Sequence, residues 1–208
     1  MKYIALIPAR SGSKRLPGKN FKEFNGKPLF YYSVLAAENS KFIQQTYVST
    51  DCEQIITFCK NNSINYLRRD SNLCLDETST NEVMLDFIHK NNISDDTIII
   101  LLQPTSPFRP DSIIDKVIEY SRKHNDWSSI VSVTPHFSKL CSITDKYLSP
   151  INYSFGDRGQ DLKNSTYKEN GLIYLIHSQS LKKTKSIFGK FVRPFIIDSL
   201  YAEIDIDT

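Results

Sequence analysis

The sequence predicts an α/β domain: a largely parallel sheet covered by helices on both faces. Three observations carry that prediction. Apolar runs of strand length alternate with stretches of helical spacing from residue 3 to residue 133. The strongest run, Thr97 to Leu102, is apolar without alternation after its first residue, as a strand buried on both faces must be. A length of 208 residues, with 40% hydrophobic and 24% charged, suits one packed core and argues against disorder.

Tyr3 to Pro8 is an apolar run entering a turn-rich loop, the mark of a buried strand. Pro28 to Glu38 reads as a helix opened by proline in its first turn. Thr46 to Ser49 is a short strand ending at Thr50-Asp51. Cys52 to Asn61 has helical spacing through Ile55, Ile56 and Cys59, and Ile64 to Leu67 is strand-like. Ser79 to Lys90 sets Val83, Phe87 and Lys90 on one side of a helix. Pro110 to His124 turns Ile113, Ile114, Val117 and Ile118 inward. Ser129 to Val133 is a further strand. From about 134 to 170 the rhythm breaks into a polar stretch with Phe137, Tyr147, Tyr153, Phe155 and Tyr167, read as an inserted arm. The sheet resumes at Gly171 to His177 and near Phe191 to Ile197. Residues 1–208 thus read as one domain without internal repeats.

Composition excludes several function classes. A net charge of +3, from 26 basic and 23 acidic residues, gives no electrostatic case for nucleic acid or an acidic membrane. The longest aliphatic run, Ile98 to Leu102, has five residues. A membrane span needs ~20. The Tyr3–Ile7 run meets Pro8 and Arg10 too soon for a signal segment, so a cytoplasmic location is expected. Cys52, Cys59, Cys74 and Cys141 form no C-x-x-C, and the histidines form no H-x-x-x-H. Free thiols are expected rather than a disulfide frame or a zinc site.

Local charge is more informative. Six basic residues lie between Arg10 and Lys27 against Glu23 alone, whereas Asp198, Glu203, Asp205 and Asp207 crowd the last eleven residues without a base. The basic stretch Ile7 to Asn20 follows the first strand, where open parallel sheets bind ligands. Gly12 and Gly18 allow close backbone approach, and the arginines and lysines suit phosphate. The spacing is not that of a Walker A loop. A solvated basic turn is the competing reading. At the other end, Glu203, Asp205 and Asp207 would share one face of a strand. An all-oxygen set of that kind suits Mg²⁺, and a solvated edge strand is the alternative. Leu101 to Pro107 runs from a buried strand into a proline-fixed turn, with Gln103 able to aim an amide at a ligand. Asp76 to Thr80 opens a helix, with Asp76 or Thr78 as its cap or its hydroxyls toward a ribose or base.

In this order the segments resemble the acylneuraminate cytidylyltransferases, the CMP-sialic acid synthetases, with relatives that act on legionaminic and pseudaminic acids. Ile7 to Asn20 is close to I-P-A-R-x-G-S-K-R-x-P-G-K-N, departing chiefly at Ser11, where glycine is frequent. Val48 to Asp51, Asp76 to Thr80, Leu101 to Pro107, Asn170 to Tyr174 and Ile204 to Thr208 match further family segments, so the resemblance spans the chain. It implies a three-layer nucleotide-binding domain of the nucleotide-diphospho-sugar transferase type, with a small dimerisation arm. It implies CTP and a nonulosonic acid as substrates, Mg²⁺ as cofactor and a homodimer, with no nucleic-acid or membrane partner. By the same resemblance Arg10 and Lys19 hold the triphosphate, with Ala9, Ser11, Gly12, Ser13 and Asn20 around them. Ser79 and Thr80 meet the nucleoside. Gln103, Gln160, Asn170 and Tyr174 line the sugar pocket. Asp205 and Asp207 hold the metal, and Asp207 or a metal-bound hydroxide takes the sugar proton. The family's R-R-Q-D-x-P stretch appears here as Arg158-Gly159-Gln160-Asp161-Leu162-Lys163, which leaves Lys139, Arg158 or Lys168 to meet the sugar carboxylate. Two alternatives remain beside this reading: a nucleotide-binding paralogue without turnover, and transfer to another sugar acid.

Overall fold

The computed structural model describes residues 1–13, 15–159 and 166–206. The central sheet has seven strands: β1 (Lys2–Pro8), β4 (Gln45–Thr50), β5 (Asn65–Arg68), β6 (Thr97–Leu101), β7 (Ser129–His136), β10 (Thr166–His177) and β11 (Val192–Ile196), arranged β11-β7-β10-β6-β1-β4-β5. All pairings are parallel except those of β10, which runs against both β6 and β7. The small ribbons β2 (Glu23–Phe24) with β3 (Lys27–Pro28), and β8 (Cys141–Thr144) with β9 (Tyr147–Pro150), stand apart from it.

Strand alternation divides the core into two layers. Tyr3, Ala5, Ile7, Ile98 and Ile100 face one way, onto α1 (Leu29–Glu38), α2 (Glu53–Asn61) and α4 (Ile113–Arg122) through Phe30, Val34, Ile55, Cys59 and Ile118. Ile4, Leu6, Ile99 and Leu101 face the other way, onto Met84, Phe87 and Ile88 of α3 (Thr80–Lys90) and Leu181 of α5 (Ser178–Thr184). β6 is buried on both faces because each of its side chains enters one of these layers. No helix among the described residues is long and apolar enough to cross a membrane, and the four cysteines are free.

Three elements differ from their sequence patterns. β7 continues to His136 and β10 begins at Thr166, paired with it, so both ends of the 134–170 span belong to the sheet. Between them lies the β8–β9 hairpin, turned at Asp145-Lys146 with φ of 49° and 73°. Such left-handed pairs form the tight turns whose twist suits a hairpin. Phe137, Ile143, Tyr147, Ile151 and Phe155 are exposed along this arm. α5 has only seven residues, too few for its period to show in sequence. The acidic segment near the C-terminus is not a strand. Leu200–Glu203 is a 3-10 turn, and beyond it the Ile206 N–H donates to the Thr105 carbonyl at 2.8 Å.

Parallel pairing brings functional segments to one edge. Pro8 lies beside Ser49, and Leu6 beside Leu101, so the loops after β1, β4 and β6 leave the sheet together. Antiparallel β10 places Tyr174 opposite Leu101 and thus carries Asn170-Gly171 to the same edge.

Candidate active site

A cavity of about 540 Å³ opens at this edge. Its floor comes from Pro8 and from Gln103, Pro104 and Thr105 beyond β6. Arg10, Gly12, Ser13, Arg15, Lys19 and Asn20 of the basic loop form one wall, and Arg69, Asp76, Thr78 and Thr80 form the other. Asp205 reaches it from the C-terminal segment.

The basic loop is held by several contacts. Ala9 is fully buried and its N–H continues the ladder to the Ser49 carbonyl at 2.9 Å, so it anchors the loop and its methyl belongs to the core. The Arg10 guanidinium donates to the carbonyls of Cys74 and Leu75 at 3.1 and 3.0 Å and pairs with Asp76 at 2.8 Å. Asn20 Nδ2 donates to the Arg10 carbonyl at 2.9 Å. Gly12 and Ser13 line the cavity. Ser11, between Arg10 and Gly12, does not, because its N–H and hydroxyl both donate to Asp51. Gly18, at φ 67°, starts the 3-10 turn Lys19–Phe21 and directs Lys19 into the wall, where it is 8% exposed. Lys14 lies outside the described residues.

Arg69 is a cavity residue that no motif announced. It is 6% exposed and donates to the Ser49 hydroxyl and carbonyl at 3.2 and 3.0 Å. Burial lowers its pKa below the usual arginine range, and the negative charges nearby, Asp51 among them, partly offset this. The signal was weak: Arg68 and Arg69 are adjacent, and strand alternation sends Arg68 outward to Glu53, at 3.0 Å, and Arg69 inward.

At the entrance to α3 the helix cap is Ser79. Its hydroxyl accepts from the Glu82 N–H at 3.3 Å, while the Glu82 carboxylate accepts from the Ser79 N–H at 2.7 Å. This corrects the expected Asp76 or Thr78 cap; Ser79, expected at the nucleoside, caps the helix and is not in the cavity lining, whereas Thr78 and Thr80 are. The Ser-x-x-Glu spacing was the available signal. Ser79→Ala is expected to cost about 1 kcal/mol, read as a lowered urea midpoint at unchanged slope. An unmoved midpoint would refute the cap.

Gln103 is braced from behind. Its carbonyl accepts from Arg109 Nη2 at 2.8 Å and the Ser33 hydroxyl at 3.2 Å, and Arg109 also donates to the Leu172 carbonyl at 2.9 Å. Burial pushes the Arg109 guanidinium down to about 9. Its role was also unannounced in sequence. On the other flank Gly171, at φ 70°, sits in the irregular stretch of β10 between Glu169 and Tyr174; a Cβ there would lie 2.7 Å from Gln103 Oε1.

The remaining expected sugar ligands are placed differently. The buried Asn170 amide is a plug within the bulge: its oxygen accepts from the Ser132 hydroxyl at 2.6 Å and the Leu172 N–H at 3.1 Å, and its nitrogen donates to Thr134 at 3.0 Å. Tyr174 lies in the second core layer with its hydroxyl 3.4 Å from Glu169; burial, then the Glu169 charge, push its pKa up to about 12. Neither lines the cavity. Lys139 belongs to the arm, where its ammonium donates to the Asp157 carbonyl and sits 5.2 Å from the Tyr153 ring centroid. Arg158 is not on the cavity lining either. Gln160 and Asp207 lie outside the described residues. Of the expected metal pair, Asp205 is exposed and lines the cavity.

Comparison with known proteins identifies the family. The profile of the cytidylyltransferase family matches residues 4–206. The chain is 35% identical to the CMP-N,N'-diacetyllegionaminic acid synthase of Legionella pneumophila, over all of this chain and 92% of that protein. It is 31% identical to the N-acylneuraminate cytidylyltransferase of Streptococcus agalactiae serotype V, over all of this chain but about half of that protein's length (51%). It is 30% identical to the pseudaminic acid cytidylyltransferase of Campylobacter jejuni, over 99% of this chain and 91% of that protein. Among solved structures, a CMP:2-keto-3-deoxy-manno-octonic acid synthetase complexed with CTP superposes with a TM-score of 0.71 at 19% identity, over 96% of this chain and 91% of that one, which shows a shared fold.

Proposed function

Because this chain belongs to the cytidylyltransferase family, we propose that it transfers the cytidylyl group of CTP to a nonulosonic, sialic-type acid, giving a CMP-sugar and pyrophosphate. The observation that carries this reading is the cavity itself, where Arg10, Lys19 and Arg69 converge beyond the carboxyl ends of parallel strands and Asp205 stands in the same lining. The names and coverage of the relatives support a sialic-type acceptor and make a diacetyllegionaminic acid the first to test.

In the reaction, the sugar's anomeric hydroxyl attacks the α-phosphorus of CTP while the bond to pyrophosphate breaks. Catalysis of such a step is mostly alignment and stabilisation of the charge that moves to the leaving oxygens. Arg10 and Lys19 supply fixed positive charge on the phosphate wall. Lys19, largely removed from water, acts through a lower effective dielectric than a surface lysine would. Arg69, with Thr78 and Thr80, suits the nucleoside end, and the braced Gln103 faces the acceptor.

The exposed Asp205 carboxylate is an all-oxygen donor that fits Mg²⁺, an ion that keeps several waters and needs only one or two carboxylates beside substrate phosphates. Asp205 would hold it together with Asp207. When bound it would supply further charge neutralisation to the phosphates. Exposed Phe137, Ile143, Tyr147 and Phe155 on the arm support a homodimer in which this apolar surface is covered. CTP supply favours a cytoplasmic location.

Purified protein with CTP, MgCl2 and a panel of nonulosonic acids is expected to release pyrophosphate with one acid in preference. CTP binding without release from any acid would overturn the transferase reading in favour of a non-catalytic paralogue. Asp205→Asn, titrated with Mn²⁺ in place of Mg²⁺, is expected to lose paramagnetic broadening of CTP resonances; retained broadening would remove Asp205 from the metal site.

A further inference from the structure

Behind the phosphate wall stands a carboxylate that does not line the cavity. Asp51 follows β4, and both of its oxygens are taken by one residue: Oδ1 accepts the Ser11 N–H at 2.7 Å and Oδ2 the Ser11 hydroxyl at 2.5 Å. The residues on either side, Arg10 and Gly12, line the cavity, as does Ser13, whereas Ser11 and Asp51 do not. An anion next to a triphosphate site would by itself oppose nucleotide binding. Its placement is explained if its charge serves the loop. We propose that the Ser11–Asp51 pair is a latch that positions the nucleotide loop, holding Arg10, Gly12 and Ser13 toward the cavity before CTP arrives.

Three facts support a positioning role. Among the described residues the loop has no helix or strand of its own between Pro8 and Lys19, so its path depends on such tethers. The latch ties it to the end of β4, the strand beside β1, whose Ser49 carbonyl already holds Ala9. Asn20 takes the neighbouring Arg10 carbonyl, so two successive residues are fixed from two elements. Burial raises the pKa of Asp51, but the two Ser11 donors, its own backbone N–H and the Arg69 charge together hold the carboxyl below its ordinary value, so the latch is charged at neutral pH. The serine hydroxyl, at the position where the opening pattern departs from the family's frequent glycine, provides half of this bidentate contact.

The role rests on the transferase reading only for its consequence in catalysis, and two readouts separate the two. In hydrogen–deuterium exchange, the amides of residues 11–13 are expected to exchange at least tenfold faster in Asp51→Asn than in the native protein, without any nucleotide. In turnover, Asp51→Asn is expected to raise the KM for CTP about tenfold or more with kcat within about threefold, as loss of a charge-assisted bond before binding requires. Ser11→Ala, at an exposed position that leaves the fold intact, is expected to give a smaller increase, and the double variant no more than Asp51→Asn alone. Unchanged exchange, an unchanged KM, or effects that multiply in the double variant would each overturn the latch. Native protein that neither binds CTP nor releases pyrophosphate would instead refute the transferase reading, while the exchange result still decides the latch.

Discussion

Lys19→Ala is expected to lower kcat/KM for pyrophosphate release by about 10²–10³-fold, corresponding to about 2.7–4 kcal/mol of transition-state stabilisation. The size follows from placement. Lys19 is one of the few buried cations among the described residues, carried by a 3-10 turn whose left-handed Gly18 directs it to the cavity wall. A charge held there needs little rearrangement as negative charge gathers on the leaving pyrophosphate. A melt beside the kinetic assay distinguishes lost catalysis from lost fold. A variant within threefold of the native rate would show that Lys19 is not a principal anchor of the phosphates.

Gly171→Ala is expected to affect both fold and function. A Cβ at φ 70° costs about 1–2 kcal/mol in a left-handed conformation. In a chain of 208 residues this lowers Tm by roughly 2–8 °C. The same Cβ would meet Gln103 Oε1, which must move away. Arg109 and Ser33 fix the Gln103 backbone, so the displacement falls on the amide that faces the cavity. A shift of this order near reacting groups is expected to lower kcat/KM about 10–100-fold. The Gln103→Ala background separates the two costs. There the strain on residue 171 should persist in the melt, while the additional kinetic loss from Gly171→Ala should vanish. Kinetic losses that simply multiply would show that the Gly171–Gln103 contact carries no function.

Much of the architecture was written in local pattern. The isoleucines of β6, the helical spacing of α2 and α4 and the basic loop after β1 each declare themselves within a dozen residues, because helix and strand periods are short-range properties. The order of the motifs also carried the family. The roles of single polar residues were much less evident. Asn170, expected in the sugar pocket, has its amide bonded inside a bulge of β10, and that bulge depends on register with β7. The acidic C-terminal segment alternated like a strand, yet its backbone bonds go to its own turn and to Thr105.

By itself the sequence determined the α/β fold class, where its core strands and principal helices run, and that a basic loop follows the first strand. Only the tertiary structure decided which side chains meet at the cavity: that Arg69 and not Arg68 turns inward, that Ser11 faces Asp51, and that Arg109 braces Gln103. The physical reason is range. Periodicity and capping act over a few residues, whereas Ser11 meets Asp51 forty positions away, Arg69 meets Ser49 twenty away, and Arg109 is held against Gln103 by contacts to the distant Ser33 and Leu172, none of which a local pattern encodes.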